Sequence, residues 1–220
     1  MTAAVNAESV SKRPLRIALT KGRLEHKTVD ILEKLGFDVS EIHNKGRKLI
    51  LEVKKNDTVF EVVLCKSPDV ITYVDNGVCD IGVVGKDTIS EHGGKFYELL
   101  DLRFGKCRFA LCGKTGENFY SGINVKTIAT KYPNVSRRFF ESKGMDVDIV
   151  KIEGSVELAP LIGLSDAIVD IVETGKTLDE NGLEIYETVQ QLSARLIANR
   201  VSLKTNRRDI GELIKNLESV

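Results

Sequence analysis

The chain has 220 residues, 42% of them hydrophobic and 29% charged, enough to bury the core of one large α/β domain or two small lobes. Lys plus Arg and Asp plus Glu both total 32, and this zero net charge excludes the basic excess of a general nucleic-acid or membrane-surface binder. Cys65, Cys79, Cys107 and Cys112 form no CxxC pair and stand at no metal-ligand spacing from His26, His43 or His92, so they read as reduced, packed thiols.

Residues 1–14 are polar, lack an apolar signal core and read as a flexible leader. No apolar run approaches the ~20 residues of a spanning helix, and a cytoplasmic location is expected. The run 15–19 predicts a strand, followed by Lys21-Gly22-Arg23 and a helix whose apolar face is Leu24, Val29, Ile31, Leu32 and Leu35 before Gly36. Runs 48–53 and 59–65 predict strands around a polar turn, 67–76 a helix, 79–84 a buried strand and 86–92 a short helix. Beyond these, 107–112, 126–130, 147–152, 167–172 and 192–201 predict strands. Helices are predicted at 134–143, 156–162 and 209–217. Alternating strands and helices imply largely parallel sheets, with ligands gathered outside the carboxyl ends of the strands. The glycine-bearing stretch 114–124 marks a boundary region. The division expected is a first lobe of 15–105 with 192–220, and a second lobe of 106–191.

The most informative segment is the apolar strand 167–172, interrupted by Asp170, that runs into Glu173-Thr174-Gly175-Lys176-Thr177-Leu178. Backbone amides at such a glycine turn and helix start point outward unpaired, and threonine hydroxyls add donors suited to a phosphate monoester. Asp170 and Glu173 are placed to accept hydrogen bonds from sugar hydroxyls. A plain threonine helix cap is the alternative for this turn taken alone. A kinase-type P-loop is excluded, because the first glycine of GxxxxGK falls at Asp170 for one GKT and at Arg108 for the other.

The run EGSVELAPLIGLSDAIVDIVETGKTLDENGL (153–183) closely resembles the signature of ATP phosphoribosyltransferases. The blocks IALTKGRL (17–24), GVCDIGVVGKD (77–87) and ATKYPNV (129–135) resemble further blocks of that family, so the resemblance covers nearly all of 15–218. Thr20 departs from the proline or serine usual there. The resemblance implies an α/β, two-lobed fold similar to type II periplasmic binding proteins, with a substrate cleft between the lobes. It also implies transfer of the phosphoribosyl group of phosphoribosyl pyrophosphate (PRPP) to N1 of ATP, the first step of histidine biosynthesis.

By resemblance, Asp170, Glu173, Thr174, Gly175, Lys176, Thr177 and Leu178 hold PRPP. Arg23, Arg47 and Lys48 stabilise departing pyrophosphate, the latter two from the same or a neighbouring subunit. Lys21 contacts phosphates, and Asp80, Gly85, Lys86 and Asp87 help shape the ATP side. The implied cofactor is Mg²⁺, carried by the substrates near Asp170. No base is needed to activate N1, which already bears a lone pair, so catalysis rests on positioning and on stabilising the leaving group. The chain ends at Val220, leaving no residues for the regulatory domain of the family's long form. The short form implies a homodimer joined by a separate regulatory subunit resembling a histidyl-tRNA synthetase. The rival readings are a non-catalytic bilobed sugar-phosphate or nucleotide-binding module, and a phosphoribosyltransferase acting on a free base.

Overall fold

The computed structural model describes residues 13–56 and 58–219, so most of the predicted leader lies outside the described residues. In chain order the elements are β1 (Leu15–Thr20), α1 (Arg23–Lys34), α2 (Ser40–His43), β2 (Ile50–Lys55), β3 (Thr58–Cys65), α3 (Ser67–Asp75), β4 (Ile81–Gly85), α4 (Lys86–His92) and β5 (Phe96–Asp101). Then follow β6 (Cys107–Lys114), β7 (Lys126–Thr130), α5 (Pro133–Ser142), β8 (Val147–Lys151), α6 (Leu158–Leu161), β9 (Ala167–Val172) and α7 (Lys176–Glu180). The chain closes with β10 (Leu183–Leu192), β11 (Ala194–Asn199), α8 (Ser202–Thr205) and α9 (Arg207–Glu218).

Two sheets result. One has six strands in the order β2-β3-β1-β4-β11-β5, the other five in the order β10-β6-β9-β7-β8. In the first, β1 lies parallel between β3 and β4. Its apolar residues Ile17, Leu19, Val62, Ile81 and Val83 pack with Val29 and Leu32 of α1 and with Ile210 and Leu213 of α9. In the second, Leu111, Ile128 and Val169 pack against Phe140 of α5 on one face. Ala110, Ile168 and Val172 meet Ala159 of α6 and Leu178 of α7 on the other. Proline opens α3 and α5 within their first turn, where a missing N–H costs nothing.

The sheets are mixed, which corrects the expectation of largely parallel strands. β1–β3, β1–β4, β7–β8 and β7–β9 are parallel, whereas β2–β3, β4–β11, β5–β11, β6–β9 and β6–β10 are antiparallel. An apolar run reports burial on both faces and says nothing of strand direction. The strand predicted at 192–201 divides at Ser193, with β10 in one sheet and β11 in the other. β5 and β10 were not predicted. Both are sheet edges, and their sequences FYELLD and LEIYETVQQL carry half-exposed polar side chains where a buried strand has an apolar run.

The chain passes between the sheets twice, from β5 to β6 and from β10 to β11, and the two crossings bond to each other. The Leu102 amide donates to Ala194 O at 3.0 Å, the Ala194 amide to Phe104 O at 2.9 Å, and the Ser193 hydroxyl to Asp101 Oδ1 at 2.7 Å. A second tie joins the helices. Glu91 of α4, 8% exposed, accepts hydrogen bonds from the Asn134 and Val135 amides at 3.1 and 3.0 Å and so caps α5.

Candidate active site

The cleft between the sheets opens at the carboxyl ends of β1, β4 and β9. It encloses about 410 Å³ and is lined by Lys21, Arg23, Lys27, Gly85 and Asp87 from the first sheet's side and by Cys107, Ile171 and Glu173 from the second's. The turn after β1 is built by Gly22, whose φ of 96° and ψ of −138° suit glycine alone, and it puts Arg23 at the first position of α1. A cation there faces the positive end of the helix dipole. Arg23 Nη1 is met at 2.6 Å by Glu173 Oε2 from the other side of the cleft, and this bond pushes the Arg23 pKa up.

The loop after β9 turns at Gly175, which sits in the left-handed region at φ 88° and starts α7. Leu178 and Asp179 amides donate to Gly175 O at 3.0 and 3.1 Å. Among the described residues, the amides of Gly175 and Thr177 donate to no protein acceptor. Thr174 Oγ1 lies 3.4 Å from the Lys176 amide, and Thr174, Lys176 and Thr177 are exposed, with Lys176 Nζ 3.6 Å from Glu180. The side chain of Leu178 is 4% exposed and packs in the core, so it anchors the loop rather than facing a ligand.

Asp170 stands one face of β9 away from Ile171. Burial pushes its carboxyl up to about 6, the Ile171 amide at 2.8 Å works against this, and nearby Glu157 adds to it. No group of three or more His, Cys, Asp or Glu among the described residues is placed to hold a metal ion. The Asp170 carboxyl, on which Glu157 acts electrostatically, offers the kind of hard oxygen that Mg²⁺ carried on substrate phosphates would take, since such an ion needs only one or two protein carboxylates.

Other predicted residues lie elsewhere. Asp80 precedes β4 and is at the opposite end of that strand from Gly85, roughly 16 Å away at a strand's rise per residue. It is 1% exposed and fully engaged, accepting from Arg13 Nη1 at 2.7 Å, the Arg16 amide at 2.8 Å and Ser202 Oγ at 2.7 Å. It ties Arg13, placed in the expected flexible leader, to the first sheet, and it faces no part of the cleft. Lys86 Nζ bonds Glu98 Oε2 at 2.6 Å and its amide donates to Ser193 O, so Lys86 serves the crossing strand rather than the cleft. Arg47 and Lys48 lie between α2 and β2. Both are exposed, Lys48 pairs with Glu41 at 2.8 Å, and neither lines this chain's cleft. Sequence reasoning passed over Lys27, one helical turn beyond Arg23, and Lys106-Cys107, which enter β6 after a glycine. The i, i+4 spacing of Arg23 and Lys27 was the available signal.

The model of the ATP phosphoribosyltransferase family matches residues 66–219. An ATP phosphoribosyltransferase of Clostridium kluyveri is 56% identical over 207 residues, covering 94% of both chains. The chain belongs to the ATP phosphoribosyltransferase family. The solved ATP phosphoribosyl transferase (HisG:HisZ) complex from Thermotoga maritima contains a chain 36% identical to this one, at a TM-score of 0.77, covering 93% of this chain and 97% of that one. The periplasmic aliphatic sulphonate binding protein SsuA from Escherichia coli has a TM-score of 0.59 at 12% identity, covering 95% of this chain and 72% of that one, a likeness of fold alone. The two-lobed, periplasmic-binding-protein-like architecture is thus established. So is the activity of this phosphoribosyltransferase, which joins ATP and PRPP in the first step of histidine biosynthesis. No helix among the described residues is long and apolar enough to cross a membrane.

Proposed function

We propose that the cleft is the transferase site and that its two walls divide the substrates, with the lobes 15–105 plus 192–220 and 106–191 closing on them. The observation that carries this is the Arg23–Glu173 pair at 2.6 Å, which joins the KGR turn to the TGxT loop. On the second wall, the Gly175 and Thr177 amides and the Thr174 and Thr177 hydroxyls take the 5-phosphate of PRPP, and Lys176 adds charge. Asp170 accepts from a ribose hydroxyl. On the first wall, Lys21 meets phosphates, while Gly85 and Asp87 shape the ATP side. Gly85 lies against Asp87, since a Cβ there would come 2.0 Å from Asp87 Oδ1.

N1 of the adenine attacks C1 of the ribose, the C1–O bond breaks, and the electron pair leaves with pyrophosphate. Arg23, released from Glu173 by the more highly charged pyrophosphate, stabilises that developing charge. Mg²⁺ bound to the substrate phosphates would supply further charge neutralisation, with Asp170 as the residue that would hold it. Asp80 and Lys86 support the fold, and Leu178 anchors the loop.

Arg47 and Lys48 are proposed to reach the cleft of a second copy in a homodimer. Their neighbours Leu49 and Ile50 are 54% and 55% exposed, an apolar pair at the free edge of the first sheet. A regulatory subunit of the kind in the Thermotoga maritima complex is proposed as a further partner, and the cytoplasm as the location.

The test mixes the protein with ATP, PRPP, Mg²⁺ and a pyrophosphatase and follows phosphoribosyl-ATP for wild type and for the Thr174→Val/Thr177→Val variant. Loss of PRPP affinity in the variant supports the loop assignment, and wild-type affinity removes it. Mixing an Arg47→Ala chain with the loop variant checks the shared site. Recovered activity in the mixture supports it, and none argues that each cleft is complete in one chain.

A further inference from the structure

Arg108 is the second residue of β6. Register places Ala110 opposite Asp170 and Arg108 opposite Val172. Alternation along the strands therefore puts Arg108 on the same face of the second sheet as Asp170 and Val172. Because β6 runs antiparallel to β9, Arg108 lies at the end where β9 passes into the Glu173–Leu178 loop. The electrostatics agree, since Arg108 and Asp170 both act on the buried thiol of Cys112 from that face, in opposite directions.

Arg108 is half-buried, and its Nε is buried without a hydrogen-bond partner. Among the described residues its guanidinium enters no ion pair and no side-chain hydrogen bond. Arg195 offers the contrast. Its Nε is likewise unpaired, but its terminal nitrogens reach Glu98 at 3.3 Å and Asp101 at 3.1 Å, so its charge is matched. A half-buried guanidinium without a counter-anion is costly unless a ligand supplies one. The loop that β9 enters at this end carries the Gly175 and Thr177 amides, which also donate to no protein acceptor among the described residues and want the same kind of partner.

We propose that Arg108 is a further substrate-binding residue of this transferase, donating to an anionic oxygen of the 5-phosphate that the loop holds. The proposal rests on the loop reading above. A planar guanidinium behind the amides gives the phosphate charge-assisted bonds that amides and hydroxyls alone do not. It also leaves Arg23, on the other wall, free for the pyrophosphate end.

The experiment titrates wild type, Arg108→Met, Arg108→Lys and Thr174→Val/Thr177→Val with PRPP, with ribose 5-phosphate and with pyrophosphate, by calorimetry, alongside thermal unfolding. Arg108→Met fills the space without the charge, and Arg108→Lys keeps the charge should Met disturb folding. Expected is a loss of roughly 10- to 100-fold in affinity for PRPP and ribose 5-phosphate in Arg108→Met. Pyrophosphate affinity stays unchanged, and Arg108→Lys recovers part of the loss. Wild-type affinity for ribose 5-phosphate in a folded Arg108→Met or Arg108→Lys protein, with the threonine variant weakened, overturns this inference and leaves the loop reading standing. Wild-type affinity in the threonine variant overturns the loop reading itself. Loss of pyrophosphate binding alone places Arg108 at the leaving group and overturns the 5-phosphate assignment.

Discussion

Arg23 and Glu173, 150 positions apart in the chain, meet at 2.6 Å across the cleft. Their side chains are 83% and 55% exposed, so the pair adds at most about 1 kcal/mol to stability. It does more for geometry, holding the KGR turn against the loop after β9.

Replacing Arg23 by Ala is therefore expected to leave the unfolding midpoint nearly unchanged while lowering kcat roughly 100- to 1000-fold. Steady-state kinetics with thermal unfolding on the same sample measures both. A normal kcat removes Arg23 from the leaving-group site, and a large fall in midpoint makes the pair structural.

Asp170 carries a pH signature. Its folded pKa, pushed up to about 6 by burial, lies above the ordinary carboxylate value, so the unfolded chain releases this proton first. The stability contribution is full at low pH and is lost as pH rises through about 6. At pH 7–8, Asp170→Asn should then stabilise the protein by roughly 1–2 kcal/mol while impairing turnover. Urea unfolding at pH 4 and pH 8 checks the sign: a variant no more stable than wild type at the higher pH contradicts it. Wild-type kcat should fall with acidification through the same range.

Glu91 joins the halves by capping α5 from α4. Glu91→Ala strands two amides at a buried helix end and should cost roughly 2–3 kcal/mol. Glu91→Gln, which keeps an acceptor, should cost less. Equal losses in urea midpoint for the two variants would mean that packing, and not the cap, is what Glu91 supplies.

Asp80 should behave as a structural residue. Desolvation alone would raise its pKa, but hydrogen bonds from Arg13, the Arg16 amide and Ser202 hold it below the ordinary carboxylate value. The stability it contributes is present above the unfolded pKa and is lost as pH falls through the folded one. Asp80→Ala strands the Arg16 amide and the Ser202 hydroxyl, while Arg13, 46% exposed, can turn to water, and it is expected to cost about 2–3 kcal/mol. The KM for ATP of the folded fraction should match wild type, and a raised KM would return Asp80 to the ATP side.

Much of the fold was legible because local signals agreed with their surroundings. The helix at 86–92 stands where it was predicted because Gly85 and Gly93 bracket it, and the strands at 126–130 and 167–172 because their apolar runs are largely buried. β5 and β10 escaped notice because an edge strand is half in water and needs no apolar run. Around the site, Lys21, Arg23 and Glu173 were readable from the motifs, and the structure brings them to one cleft. Asp80 and Lys86 belonged to the same family block as Gly85 and Asp87, yet a strand has two ends and two faces. Asp80 lies at the end away from the cleft, and Lys86 turns toward β5.

By itself the sequence determined the alternation of elements, the glycine turns at Gly22 and Gly175 and the helix start between Thr174 and Thr177, because these depend on φ, ψ and short-range hydrogen bonding. Only the tertiary structure decided what faces what. It set the mixed strand directions, divided 192–201 at Ser193, paired Arg23 with Glu173, spent Asp80 on Arg13 and left Arg108 without a counter-charge. Those outcomes depend on contacts between residues tens of positions apart, whose energies no local pattern carries.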